Sequence, residues 1–137
     1  MRPSDVQLPG MDTTSVIRIL IIDDHPMMRI SLRSLLKFDS RLDVVGEAAD
    51  GLAALELVGE HHPDLVIMDA SMPVLNGFDA TRIITSKFPG IKVIVLTMND
   101  DISFSAEAYQ AGACRFLVKG CDRDEIFDAI VRCISRE

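Results

Sequence analysis

The sequence predicts an α/β domain built on a five-stranded parallel sheet with helices on both faces. Three observations carry this. Five short apolar runs alternate along the chain with five amphipathic stretches. Most of the runs are rich in Val and Ile and nearly continuous, as strands covered on both faces are. The amphipathic stretches begin and end at residues suited to helix termini. Strand followed by helix, repeated, means βαβ units, and these cross over right-handed.

Each element has its own signal. Residues 17–22, Ile-Arg-Ile-Leu-Ile-Ile, form the first apolar run. Pro26 then suits the first turn of a helix whose stripe is Met28, Leu32, Leu35 and Leu36. The second run covers 44–48, and Asp50 is a candidate N-cap for a stripe of Ala54, Leu57 and Val58. A third run, 65–68, precedes a helical stretch over 78–88. A fourth, 91–96, precedes one over 101–111 that Gly112 ends. The fifth run, 116–118, leads into a helix from Asp122 to about Ser135. Asp122 and Glu125 resemble a capping box there, and Ile126, Ile130, Cys133 and Ile134 make the buried face. Residues 1–15, with Pro3, Pro9 and Gly10, read as a flexible leader ahead of one domain over 16–137.

Composition narrows the function classes. A chain of 137 residues makes one ordinary domain, and with no Trp its core must be mostly aliphatic. Its 21 acidic against 14 basic residues give −7, which argues against direct contact with DNA or a membrane surface. No apolar run approaches a membrane span, and the start lacks the pattern of a secretory signal. Cys114, Cys121 and Cys133 lack metal-type spacing, so free thiols in a reducing cytoplasm are expected, with Cys133 packed in the core.

Ligands of open α/β sheets bind beyond the carboxyl ends of the strands. Four of the five runs end there in a chemically capable residue: Asp23 and Asp24 after the first, Asp69 after the third, Thr97 after the fourth and Lys119 after the fifth. Singly, each has a plain alternative. An Asp after a strand is most often a turn former, a Thr a strand former and a Lys a solvent-facing cation. Their convergence on one edge carries the argument. Three clustered carboxylates repel one another, and a divalent cation relieves this. Oxygen-only ligands suit Mg2+, which keeps several waters and accepts a phosphate oxygen. With no Cys or His expected at the strand ends, zinc is disfavoured. His25 reads as a helix cap or surface residue, and His61 and His62 fall far from this edge. Lys119 and Thr97 add a fixed cation and a hydroxyl donor, which is equipment for phosphoryl transfer to an Asp carboxylate.

Ile21-Ile22-Asp23-Asp24-His25-Pro26, Asp69-Ala70-Ser71-Met72-Pro73 with Gly77, Val95-Leu96-Thr97 and Phe116-Leu117-Val118-Lys119 resemble, as a set, the receiver domain of two-component response regulators. The resemblance runs from about Val16 to the end. Asp24-His25-Pro26-Met27-Met28-Arg29 and Leu96-Thr97-Met98-Asn99-Asp100-Asp101 are most similar to regulators carrying a LuxR-type (NarL/FixJ-like) output domain.

This implies a flavodoxin-like, doubly wound sheet of order 2-1-3-4-5. It implies that Asp69 accepts phosphate from a sensor histidine kinase. Asp23, Asp24, Asp69 and the Ser71 backbone carbonyl would hold Mg2+, with Asp23 acting mostly through water. Thr97 and Lys119 would bond phosphoryl oxygens, and Thr97 and Phe116 would form the switch. For Phe116 a plain core aromatic is the alternative. Homodimerisation on phosphorylation, DNA contact only through an output domain outside this chain, and a cytoplasmic location without membrane contact complete the expectation. Ser71 stands where the family tunes phosphate lifetime, and Met98 is larger than the residue common after the Thr.

Rival readings remain open at this point. A stand-alone receiver could signal by protein contact. An Asp-nucleophile phosphatase would want a second Asp two residues after the nucleophile, where Ser71 stands. A flavodoxin-like cofactor domain would want a Gly-rich loop after the first strand, where Asp-Asp-His-Pro stands.

Overall fold

The computed structural model describes residues 16–98 and 102–135; the expected leader lies outside them. The elements run β1 (Ile17–Ile22), α1 (Pro26–Leu36), β2 (Leu42–Ala48), α2 (Gly51–His61), β3 (Leu65–Asp69), α3 (Gly77–Lys87), β4 (Lys92–Thr97), α4 (Ile102–Gln110), β5 (Arg115–Val118) and α5 (Arg123–Ile134). All neighbouring strands are parallel, in the order β2-β1-β3-β4-β5.

Strand side chains point alternately to the two faces, and here both faces are apolar. Ile19, Ile21, Leu65, Ile67, Ile94 and Leu96 pack with Leu32 and Leu36 of α1 and Ile126 and Ile130 of α5. The intervening residues Leu20, Ile22, Val66, Met68, Val93 and Val95 pack with Ala54 and Val58 of α2, Ile84 of α3 and Ala108 of α4. The near-continuous apolar runs are the sum of these two alternating sets. Burying each Ile or Leu contributes roughly 1.5–3 kcal/mol. The central strand β3 is buried along its whole length.

Helix starts follow the expected chemistry. Asp50 accepts a bond from the Ala53 N–H, and Asp122 one from the Glu125 N–H. At α3 the cap is Asn76, which accepts from the Asp79 N–H. α4 is followed by Gly112 at φ 107°, a left-handed conformation suited to glycine.

Two features depart from the sequence reading. β2 begins at Leu42 rather than residue 44, because a buried pair anchors the turn before it. Asp39 Oδ1 accepts from both the N–H and Nε of Arg41, Asp39 Oδ2 lies 2.8 Å from Arg41 Nη2, and both side chains are buried. The second departure concerns the thiols. Cys114, just before β5, and Cys133, in α5, form a disulfide with a Cα–Cα distance of 5.9 Å, leaving Cys121 free. The expectation of three free thiols is corrected accordingly, though Cys133 is fully buried in the core as expected. The crossing of α5 over the start of β5 brings the two cysteines together, and a separation of 19 residues in sequence gives no hint of it.

Candidate functional site

Parallel strands place all their carboxyl ends on one edge. Asp23 and Asp24 follow β1 directly, Asp69 is the last residue of β3, Thr97 is the last of β4, and Lys119 follows β5. Register aligns them further. Asp69 pairs with Leu96, one residue before Thr97, and Thr97 pairs with Val118, one residue before Lys119. The Lys119 N–H donates to the Thr97 carbonyl at 2.7 Å, which fixes where the lysine leaves the sheet.

The side chains meet. Lys119 Nζ lies 2.8 Å from Asp23 Oδ2 and 3.1 Å from Asp69 Oδ1, and all three side chains are at most 5% exposed. Asp24 is about one-third exposed and forms the rim. Asp69 Oδ1 also receives the Ser71 N–H at 3.3 Å. Thr97 is buried at the end of its strand. Phe116 is half-buried in β5 opposite Val95 and packs on the cluster that includes Phe78. Met98 and Ser71 are exposed.

The loop from β3 to α3 holds the acceptor end in place. The Ala70 N–H donates to the Leu96 carbonyl and the Gly77 N–H to the Ala70 carbonyl. A Cβ at Gly77 would collide with the Asp69 carbonyl oxygen, so only glycine lets α3 start this close to β3. Val74 in the same loop has φ 71°, an unusual conformation for a β-branched residue.

Electrostatics separates the two buried carboxyls. Burial drives the Asp69 pKa up, repulsion from Asp23 adds to this, and Lys119 offsets only part, so Asp69 is raised to about 6. Burial opposes ionisation of Asp23 too. There Lys119, the His25 N–H and the His25 ring outweigh it and hold the carboxyl below its ordinary value. For Lys119, burial pushes the pKa down, but the bonds it donates to Asp23 and Asp69 outweigh this and raise it.

Sequence reasoning missed one member of the cluster. His25 is the exposed N-cap residue of α1, as expected, yet its side chain makes no capping bond. Its Nδ1 instead stands 2.9 Å from Asp23 Oδ1, 3.1 Å from Asp24 Oδ1 and 4.0 Å from Asp69 Oδ2. A histidine is therefore present at the strand-end edge, contrary to expectation. Its position immediately after the acid pair was the available signal. His61 and His62 end α2 before β3 begins, with the His61 carbonyl bonded to Arg18.

Donor atoms of Asp23, Asp24, His25 and Asp69 all lie within 4.8 Å of one another. Asp24 Oδ1 and Asp69 Oδ2 are buried and accept no hydrogen bond. Buried carboxylate oxygens without partners are costly unless a cation meets them. The three carboxylates therefore fit a hard divalent cation. No helix among the described residues is long and apolar enough to cross a membrane.

Comparison with known proteins places this geometry in context. The model of the response regulator receiver domain matches residues 19–131. The chain is 38% identical over 114 residues to the transcriptional regulatory protein DegU of Brevibacillus brevis, covering 83% of this chain and 48% of that protein. It is 41% identical over 116 residues to LnrK of Bacillus subtilis, covering 85% of this chain and 53% of that protein. It thus spans about half the length of these relatives. Among solved structures, the signal receiver domain assigned to NarL of Mycobacterium tuberculosis superposes with a TM-score of 0.84 at 33% identity, over 90% of this chain and 99% of that one. Strand order, flavodoxin-like topology and sequence agree: the chain belongs to the receiver domain family of two-component response regulators, and its relatives are transcriptional regulators of the LuxR type.

Proposed function

We propose that Asp69 is the phosphoacceptor, taking a phosphoryl group from the phosphohistidine of a sensor histidine kinase. The observation that carries this is the asymmetry of the Asp69 carboxylate. Oδ1 is held by Lys119, while Oδ2 is buried and free of hydrogen bonds beside Asp24. A fixed carboxylate with one uncommitted oxygen is a positioned nucleophile. With a pKa of about 6, it is mostly ionised at neutral pH.

In the transfer, an Asp69 oxygen bonds to phosphorus, the phosphorus–nitrogen bond of the donor breaks, and the imidazole leaves with its electron pair and takes up a proton. Lys119 stays beside the acceptor and pairs with a phosphoryl oxygen; the Thr97 hydroxyl bonds another. Asp23, Asp24, Asp69 and the Ser71 backbone carbonyl would hold Mg2+, whose charge neutralises the incoming phosphoryl oxygens.

The added charge draws on Thr97 and Lys119, which flank α4, β5 and α5, and Phe116 lies in the same strand. A modification shifts a conformational equilibrium by its differential interaction with two states. We read this face as the one that changes, controlling homodimerisation or an output domain that contacts DNA. The name of the relatives as transcriptional regulators, and the half of their length that this chain does not span, support that reading. A kinase donor implies a cytoplasmic site of action.

The test is intact-mass detection of phosphate uptake from acetyl phosphate with Mg2+. One phosphoryl group should appear on the wild-type chain and none on Asp69→Ala. Phosphate uptake by that variant would end the assignment.

A further inference from the structure

We propose that His25 is a ligand of the same centre, giving it a nitrogen donor through Nδ1, so that it binds transition dications such as Zn2+ in preference to Mg2+. This rests on reading the acid cluster as a metal centre.

Three observations support it. First, the ring is turned towards the acids: His25 makes no capping bond, its N–H is tied to Asp23 Oδ1 at 2.8 Å, and Nδ1 lies 2.9 Å from the same oxygen. The side chain lies over the carboxylates and not over the helix terminus. Second, the distances suit one ion. Donors around a first-row dication at about 2.1 Å stand about 3–4 Å apart. Here Nδ1 lies 2.9, 3.1 and 4.0 Å from the three carboxylates. Third, Asp69 Oδ2 and Asp24 Oδ1 are buried without hydrogen bonds, and the Asp69 side chain is only 3% exposed.

The chemistry then sets the preference. Without a bound ion, the ring N–H at Nδ1 donates to Asp23 Oδ1; a bound dication takes that proton's place at Nδ1, and the ring keeps its proton on Nε2. Three carboxylates and one imidazole make a mixed oxygen and nitrogen set, for which zinc-class ions have higher affinity than hard cations. Mg2+ gains little from nitrogen and keeps its waters, so it is served by the carboxylates alone. One cluster thereby distinguishes two classes of dication by whether His25 takes part.

The test is calorimetric titration of the full chain with Zn2+ and, separately, Mg2+. Wild type is compared with His25→Gln, both carrying Cys121→Ser, His61→Gln and His62→Asn to remove competing donors. Alongside it, the imidazole nitrogen resonances of the 15N-labelled wild-type chain are followed during each titration. His25→Gln should weaken Zn2+ binding at least about tenfold and change Mg2+ binding less than about twofold. The His25 Nδ1 resonance should move with Zn2+ and stay in place with Mg2+. Unchanged Zn2+ affinity in His25→Gln, or an unmoved Nδ1 resonance, would overturn the proposal. Loss of Mg2+ binding in Asp24→Asn is expected, and would leave the metal centre standing even if His25 failed. If Asp24→Asn affected neither ion, both readings would fall together.

Discussion

Replacing Asp69 by Asn should stabilise the metal-free protein at pH 8. An ordinary aspartate titrates at 3.8, and Asp69 is raised to about 6, first by burial and then by Asp23. The folded state therefore holds the Asp69 proton more tightly than the unfolded chain does. The sign follows from linkage. The favourable contribution of protonated Asp69 is complete below about pH 3.8 and is lost as pH rises through about 6. Above that, the folded protein carries a buried charge it would be more stable without. At 1.36 kcal/mol per pH unit, the gap corresponds to about 3 kcal/mol. Asn keeps the shape of the neutral carboxyl, so the variant should gain up to about 3 kcal/mol at pH 8 and well under 1 kcal/mol near pH 4. Urea unfolding in chelator at several pH values between 4 and 8 measures this. For a domain of this size the gain corresponds to roughly 3–5 °C in Tm per kcal/mol. Millimolar Mg2+ should narrow the difference at pH 8 by neutralising the wild-type charge. An Asn variant less stable than wild type at pH 8 without metal would refute the electrostatic reasoning.

Three further outcomes are expected. Lys119→Met should cost about 3 kcal/mol at pH 8, because it strands Asp23 and Asp69 as buried charges; equal urea midpoints for variant and wild type would contradict this. Gly77→Ala should destabilise by about 2 kcal/mol, since the new Cβ meets the Asp69 carbonyl, which cannot rotate aside. It should also weaken Mg2+ binding by displacing Asp69, and a variant within about 0.5 kcal/mol of wild type would show that the helix start is not so constrained. Thiol titration of the unfolded chain should count one thiol before reduction and three after it. Closing a 19-residue loop corresponds to about 3 kcal/mol of chain entropy, so reduction should lower the urea midpoint measurably; identical midpoints would show that the cross-link contributes nothing.

The fold was legible because its strands are buried on two sides. Ile17–Ile22 and Leu65–Asp69 must be apolar at successive positions to satisfy α1 and α5 on one face and α2, α3 and α4 on the other. The edge strand β2 was read short. Its first residues, Leu42 and Asp43, include an exposed acid, and the Asp39–Arg41 pair that fixes its start looks in sequence like two charges facing solvent. At the candidate site, the meeting of Asp23, Asp24, Asp69 and Lys119 could be read from polar residues closing apolar runs, because parallel strands share one carboxyl edge. His25 could not, since a residue at a helix start has a cap as its usual reading and its place in the sequence does not fix which way the ring turns. The Cys114–Cys133 pairing depends on how α5 crosses β5, which periodicity does not encode.

The cluster draws on both ends of the described chain: Asp23 comes just after the first strand and Lys119 just after the last. A nascent chain released only through β4 would carry all three acids without Lys119. Their mutual repulsion would then oppose closure of the strand-end edge until β5 had docked against β4. Lys119 reaches Asp23 only across contacts of long sequence separation, the class of contact that slows folding. Pulse-labelled hydrogen exchange during refolding should find the β5 amides and the Lys119 N–H gaining protection no earlier than those of β1 and β3.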